Sequence, residues 1–196
     1  MDYTNLERET GEFVTKTFAS SVDHQYPYHN LRHTVSVVEH AGEIAKFYEL
    51  KAGELFIVRV AGWFHDIGHL YGGFEGHEER GVSIMKGYME QLGVSEALIL
   101  AIAQCIRATK FPSHPGSIYE EIVCDSDTYH FGTAYFRQTD VLVRQEVELR
   151  TGKSFPDWHK KSIRLLEYHH YFTAYCQELL DKGKQENIQW LRSLTD

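Results

Sequence analysis

The chain has 196 residues, 42% of them apolar and 24% charged. That length suits one domain with a core of its own, and the composition excludes a disordered chain, a collagen or a disulfide knot. Twenty basic against 28 acidic residues leave a net charge of −8, which argues against a broad face for a nucleic-acid polymer; an anionic ligand would need a local positive centre, either a metal ion or an Arg/Lys cluster.

In chain order the pattern reads as helices. Residues 2–20 form a first helix, with Leu6, Phe13 and Phe18 among its apolar positions, and Ser20 to Asn30, holding Asp23 and Pro27, reads as a loop. From Leu31 to Leu50 apolar residues recur three and four apart on two stripes, Leu31-Val35-Val38-Ala45-Tyr48 and Val37-Ile44-Phe47, which marks a largely buried helix. Residues 54–69 repeat the pattern until Gly72-Gly73 and Gly76 break it. A fourth helix runs from His77 to Leu92 with Gly93 as a C-terminal cap. Ser95 caps a fifth, extending to Lys110. Pro112 and Pro115 make 111–117 a loop, and 118–131 and 134–150 look helical. Phe155-Pro156-Asp157 opens a long helix to Asp181, which Gly183 ends, and a short terminal helix follows. No alternating run marks a strand. The expectation is a single all-α domain over 1–196, with about seven to nine helices.

Cys105, Cys124 and Cys176 are far apart, odd in number and without a Cys-x-x-Cys pair, so they read as buried thiols in a reducing compartment. The segment Met1 to Glu7 is acidic and polar, unlike a signal peptide. No apolar stretch approaches the roughly 20 residues of a membrane helix. A cytoplasmic protein without a membrane partner is expected.

Histidine is abundant, with 12 residues, seven of them between His24 and His77. His65-Asp66 lies in the apolar run Val60 to His69, where an ionised carboxylate needs a partner. A metal ion is one such partner; a hydrogen-bonded core histidine beside a surface acid is the plain alternative. Tyr28-His29-Asn30-Leu31-Arg32-His33 places another histidine at the start of the preceding buried helix. Cys124-Asp125-Ser126-Asp127 puts acids in an otherwise apolar stretch. His33, His65, Asp66 and Asp127 together make a mixed nitrogen and oxygen set suited to a divalent ion with coordination positions left open.

The order His33 … His65-Asp66 … Asp127 resembles the HD superfamily of metal-dependent phosphohydrolases, with motifs spanning roughly residues 26–132. Tyr28-His29-Asn30-x-x-His33 and His65-Asp66-Ile67-Gly68-His69 are also similar to the corresponding segments of cyclic-nucleotide phosphodiesterases. The resemblance implies that His33, His65, Asp66 and Asp127 bind the metal. Asp127 is preferred to Asp125 from the family's Asp-x-Asp pattern running on to Gly132. It further implies that His29 protonates the leaving oxygen and that His69 sits beside the attacking water. The ion would be Mn, Fe, Co, Ni, Zn or Mg. One is expected, and a second has candidate ligands in His77 and Glu78, although acids in a first helical turn also complement the helix dipole.

Arg107 and Lys110, three apart at the end of a helix, are candidates to clamp a substrate phosphate. His169-His170, amid aromatics, reads as core packing, and His114, between two prolines, as a solvent-exposed loop residue. The implied activity is hydrolysis of a phosphate mono- or diester of a nucleotide or similar small phosphorylated metabolite; whether the chain forms a homo-oligomer stays open. The rival readings are a metal- and nucleotide-binding sensor of the same fold without turnover, a zinc peptidase and a metal-free helical scaffold. The peptidase is disfavoured because His65-Asp66-x-x-His69 lacks the general-base Glu of His-Glu-x-x-His, Gly68 weakens the helix, and no third ligand follows.

Overall fold

The computed structural model describes residues 1–21 and 26–194. Among them are nine α-helices, two short 3-10 turns and no strand. The helices are α1 (Tyr3–Ser20), α2 (Leu31–Phe47), α3 (Ala52–Phe64), α4 (His77–Gln91), α5 (Glu96–Ala108), α6 (Ile118–Asp127), α7 (Phe136–Thr151), α8 (Trp158–Tyr168) and α9 (Ala174–Ser193). None is long and apolar enough to cross a membrane. The chain divides into two compact units, which for the described residues are 1–21 with 29–127, and 26–28 with 128–194. The loop expected from Ser20 to Asn30 falls partly on 22–25, outside the described residues. Its remainder, 26–30, is irregular as expected.

In the first unit α3 is central, packed by α1, α2, α5 and α6. Its sequence explains that place. Phe56, Ile57, Val58, Val60, Ala61 and Phe64 point several ways around the helix and all are buried, as they must be when a helix is apolar on every side. Glycine sets the spacing. A Cβ on Gly62 would lie 3.2 Å from Val38 Cγ2 on α2, so small size lets the two helices approach closely.

The expected helix over 54–69 ends earlier, at Phe64. His65 closes it, its N–H bonded to the Ala61 carbonyl (2.9 Å). Asp66 leaves the helix, and Ile67–Tyr71 form a 3-10 turn. The reason is tertiary: a Cβ on Gly68 would overlap the His77 carbonyl, and one on Gly81 would lie 2.7 Å from the Phe64 carbonyl oxygen. The 3-10 turn and the start of α4 therefore pack backbone against backbone. Gly76, at φ +71°, turns the chain into α4 in the left-handed region that suits glycine. Ser95 does stand at the N-cap of α5, but its side chain accepts no capping hydrogen bond.

The second unit corrects the expectation for the C-terminal helices. No helix runs from 157 to 181, and Gly183 does not end one. The chain breaks after Tyr168, crosses 169–173 without helix and restarts at α9, where Thr173 accepts from Cys176 N (3.2 Å). Gly183 lies inside α9 because the backbone of Gly132 presses there: a Cβ would overlap the Gly132 carbonyl. Close approach, not termination, requires that glycine. Lys184 is buried and donates to the carbonyl of His169 (3.0 Å), which answers one main-chain acceptor freed by the break. His169 is a core residue as expected, on irregular backbone, but His170, expected in the core beside it, is exposed. His114 is also exposed. The three cysteines are buried thiols outside any disulfide, and burial pushes the Cys105 thiol up to about 12.

Candidate metal centre

The candidate site lies in the first unit, and three local structures deliver its ligands. The Asn30 side chain caps α2 by accepting from Arg32 N (2.9 Å) and His33 N (3.3 Å), which fixes the first turn that carries His33. The end of α3 delivers His65 and Asp66. The last residue of α6 is Asp127.

One ligand atom from each of His33, His65, Asp66 and Asp127 lies within 4.8 Å of all the others. His33 Nε2 stands 3.0 Å from Asp127 Oδ1, 3.3 Å from His65 Nε2 and 3.4 Å from Asp66 Oδ2. His65 Nε2 is 3.2 Å from Asp66 Oδ2. His65 and Asp66 are buried. Asp127 belongs to this group; Asp125, buried two residues earlier, does not.

The chemistry of this set fits a divalent cation. His65 Nδ1 donates to the Gly62 carbonyl (2.8 Å), which fixes the ring and turns Nε2 toward the cluster, as carbonyl-oriented metal ligands are held. Asp66 Oδ2 is buried without a well-formed hydrogen bond. Such an oxygen is costly unless something positive faces it. Two imidazole nitrogens and two carboxylates converging on one point supply the donors such an ion takes.

Electrostatics without the ion agree. Burial opposes ionisation of Asp66, but the His65 and His29 charges outweigh it and hold the carboxyl well below the usual range. Burial likewise opposes ionisation of Asp127, yet its bonds to His33 and His65 lower it. Burial would depress His33 and His65, and their contacts with the two aspartates raise both instead, His65 strongly. Both histidines thus keep their protons to higher pH than a free imidazole, opposite the carboxylate charge that a divalent ion would offset when bound.

The other oxygen of Asp66 faces a second set. Oδ1 is 3.5 Å from His77 Nε2 and 3.7 Å from His69 Nε2. The His69 and His77 rings stack with centroids 3.9 Å apart at 17°, and the His29 ring lies 4.5 Å from His69. His29, Asp66 and His69 form a second group of convergent ligand atoms. The proposed proton donor His29 and water-side histidine His69 are therefore brought together beside Asp66. His77 lies against this group, stacked on His69 with its Nε2 toward Asp66 Oδ1. Glu78 is buried, with Oε2 3.6 Å from His77 Nδ1.

Arg107 is placed differently. Its guanidinium is engaged by both Glu79 carboxylate oxygens (2.7 and 2.9 Å) on the exposed end of α5, and Lys110 is exposed just beyond. Sequence reasoning did not find the direct packing of Gly68 against Gly81. The spacing of glycines on either side of His69 and His77 was the available signal.

An all-helical fold with convergent ligands in the order His … His-Asp … Asp defines a class of helical metal-site domains. The HD domain family model matches residues 30–132, just over half the chain, and the chain belongs to that family. Similar solved structures include a predicted HD superfamily hydrolase from an uncultured Thermotogales bacterium (20% identity, 100% of this chain and 98% of that chain, TM-score 0.64). Bacillus subtilis YpgQ in complex with ADP is also similar (18%, 99% and 95%, 0.70), as is the Lin1889 protein of Listeria innocua (16%, 100% and 97%, 0.68). Among curated proteins none matches the sequence. The family and the hydrolase among these neighbours point to a metal-dependent hydrolase in general.

Proposed function

We propose that the chain hydrolyses a phosphate mono- or diester of a nucleotide or similar small phosphorylated metabolite. The observation that carries the reading is the convergence of ligand atoms from His33, His65, Asp66 and Asp127, with the buried Oδ2 of Asp66 making no well-formed hydrogen bond. These four residues would hold a divalent ion, which when bound supplies Lewis acidity and a nucleophilic water at neutral pH. His29 donates the proton that the leaving oxygen needs, histidine being able to exchange one near pH 7. His69 orients the attacking water on the Asp66 Oδ1 side. His77 and Glu78 are the further candidates toward a second ion. The ADP of the B. subtilis neighbour supports a nucleotide among the substrates. Arg107 reaches a substrate phosphate only by giving up its pair with Glu79, and Lys110 has the freer charge.

The test is elemental analysis of the purified protein together with a hydrolysis screen that reads inorganic phosphate from nucleotides and nucleoside monophosphate from cyclic nucleotides. Wild type carries a divalent metal and forms one of these products; Asp66→Ala loses both metal and turnover. Turnover that survives Asp66→Ala overturns the reading. Wild type that binds metal and nucleotide yet hydrolyses neither monoester nor diester makes the domain a sensor.

A further inference from the structure

Arg80 organises the segment that carries His69 and His77. It lies one turn into α4 and reaches back over the glycine-rich stretch 72–76. Its Nε donates to the Gly68 carbonyl (2.9 Å) and one terminal nitrogen to the Glu75 carbonyl (2.9 Å). The other terminal nitrogen donates to the Gly73 carbonyl. The chain wraps it closely: a Cβ on Gly72 would lie 3.0 Å from Arg80 Cζ.

The three carbonyls are placed to matter. Gly68 immediately precedes His69. Gly73 and Glu75 flank Phe74, whose carbonyl accepts from His77 Nδ1 (2.8 Å). One planar group thus ties the residue before His69 to the loop that orients His77. Three glycines in five residues otherwise leave this loop with wide conformational freedom. A rigid fork of five donors can join three acceptors, whereas a lysine ammonium is a point charge on a flexible stem.

We propose that Arg80 is a positioning residue, holding the His69–His77 imidazole pair against Asp66 Oδ1 by tying together the carbonyls of Gly68, Gly73 and Glu75. The proposal rests on the hydrolase reading only for its effect on turnover; the positioning itself is measured on metal-free protein.

The experiment compares wild type, Arg80→Gln and Arg80→Lys. Nuclear magnetic resonance follows the ring Nδ1–H protons of His77 and His65, and hydrogen–deuterium exchange follows the amides of 72–76. His65, bonded to Gly62, is the internal reference. In Arg80→Gln the His77 ring proton and the loop amides exchange at least about tenfold faster, while His65 keeps its signal. Arg80→Lys restores only part of the protection. Metal content stays at the wild-type level, and kcat for phosphate release falls about 10–100-fold, as for other groups that orient ligands from behind, with KM within about twofold. Unchanged His77 and loop exchange in both variants overturns the proposal, as does a loosened loop with unchanged kcat. If circular dichroism shows Arg80→Gln unfolded, Arg80→Lys carries the same readouts. Wild type that hydrolyses neither monoester nor diester sinks the hydrolase reading instead, and the exchange data still decide for or against Arg80.

Discussion

Asp66→Asn separates the charge of the site from its shape. The amide nearly matches the carboxylate in volume, so packing around it should hold, but the negative charge is lost. Asp66 Oδ2 stands 3.2 Å from His65 Nε2 and 3.4 Å from His33 Nε2. At about 3.3 Å, two unit charges at an effective dielectric near 20 attract by about 5 kcal/mol. Removing one partner of a buried pair costs about 3–5 kcal/mol in practice. The metal-free variant should therefore be less stable than the metal-free wild type by that amount near pH 6. For a chain of this size the melting temperature drops by roughly 6–20 °C.

The loss should depend on pH. His33 and His65 are raised above 6.5 in the folded chain, so their charged forms stabilise fully below about pH 6.5 and progressively less as pH climbs through the folded values. Asp66, held below 3.8, contributes above that pH and loses its contribution as pH falls through its folded value. The difference between wild type and Asp66→Asn should thus be largest around pH 5–6.5 and shrink toward alkaline pH. Urea denaturation of chelator-treated proteins from pH 5 to 10 measures it. A difference below about 1 kcal/mol at pH 6, or one that does not change with pH, would refute the charge coupling on which the site rests.

His29→Ala should lower kcat about 10²–10⁴-fold on esters with poor, alkoxide-type leaving groups and far less on p-nitrophenyl esters, which leave without a proton; equal losses on both would remove His29 from proton donation. Arg107→Ala should cost under about 1 kcal/mol, because its pair with Glu79 is exposed, and raise KM several-fold at constant kcat. An unchanged KM in steady-state assays would assign that guanidinium to Glu79 alone. Gly183→Ala drives a Cβ into the Gly132 carbonyl and should destabilise the second unit by about 2–3 kcal/mol, read as a lower thermal midpoint; a neutral result would show that α9 can shift away.

Much of the site was legible because its residues recur as local patterns. His65-Asp66 stood out as a polar pair in an apolar run, and His33 stood at the start of the preceding buried helix. His77 was visible as a candidate but not as a neighbour of His69, since their stacking needs the glycine contact between the 3-10 turn and α4. The engagement of Arg107 with Glu79 could not be read either, because the two residues are 28 positions apart and on different helices.

Hydrophobic periodicity and scarce helix breakers fixed the all-α class, the existence of most helices and the order of the ligands. They did so because burying one face of a helix is a demand each segment makes on its own residues. Where helices stop was decided elsewhere. Residues 65–69 and 169–173 lie in stretches whose apolar spacing reads as continuing helix; the first instead packs its backbone on the start of α4 at Gly81, and at the second break the buried Lys184 ammonium takes up the His169 carbonyl. Convergence of four ligand atoms within 4.8 Å is likewise a property of packed helices. Sequence names the donors; only tertiary packing sets the distances among groups far apart along the chain.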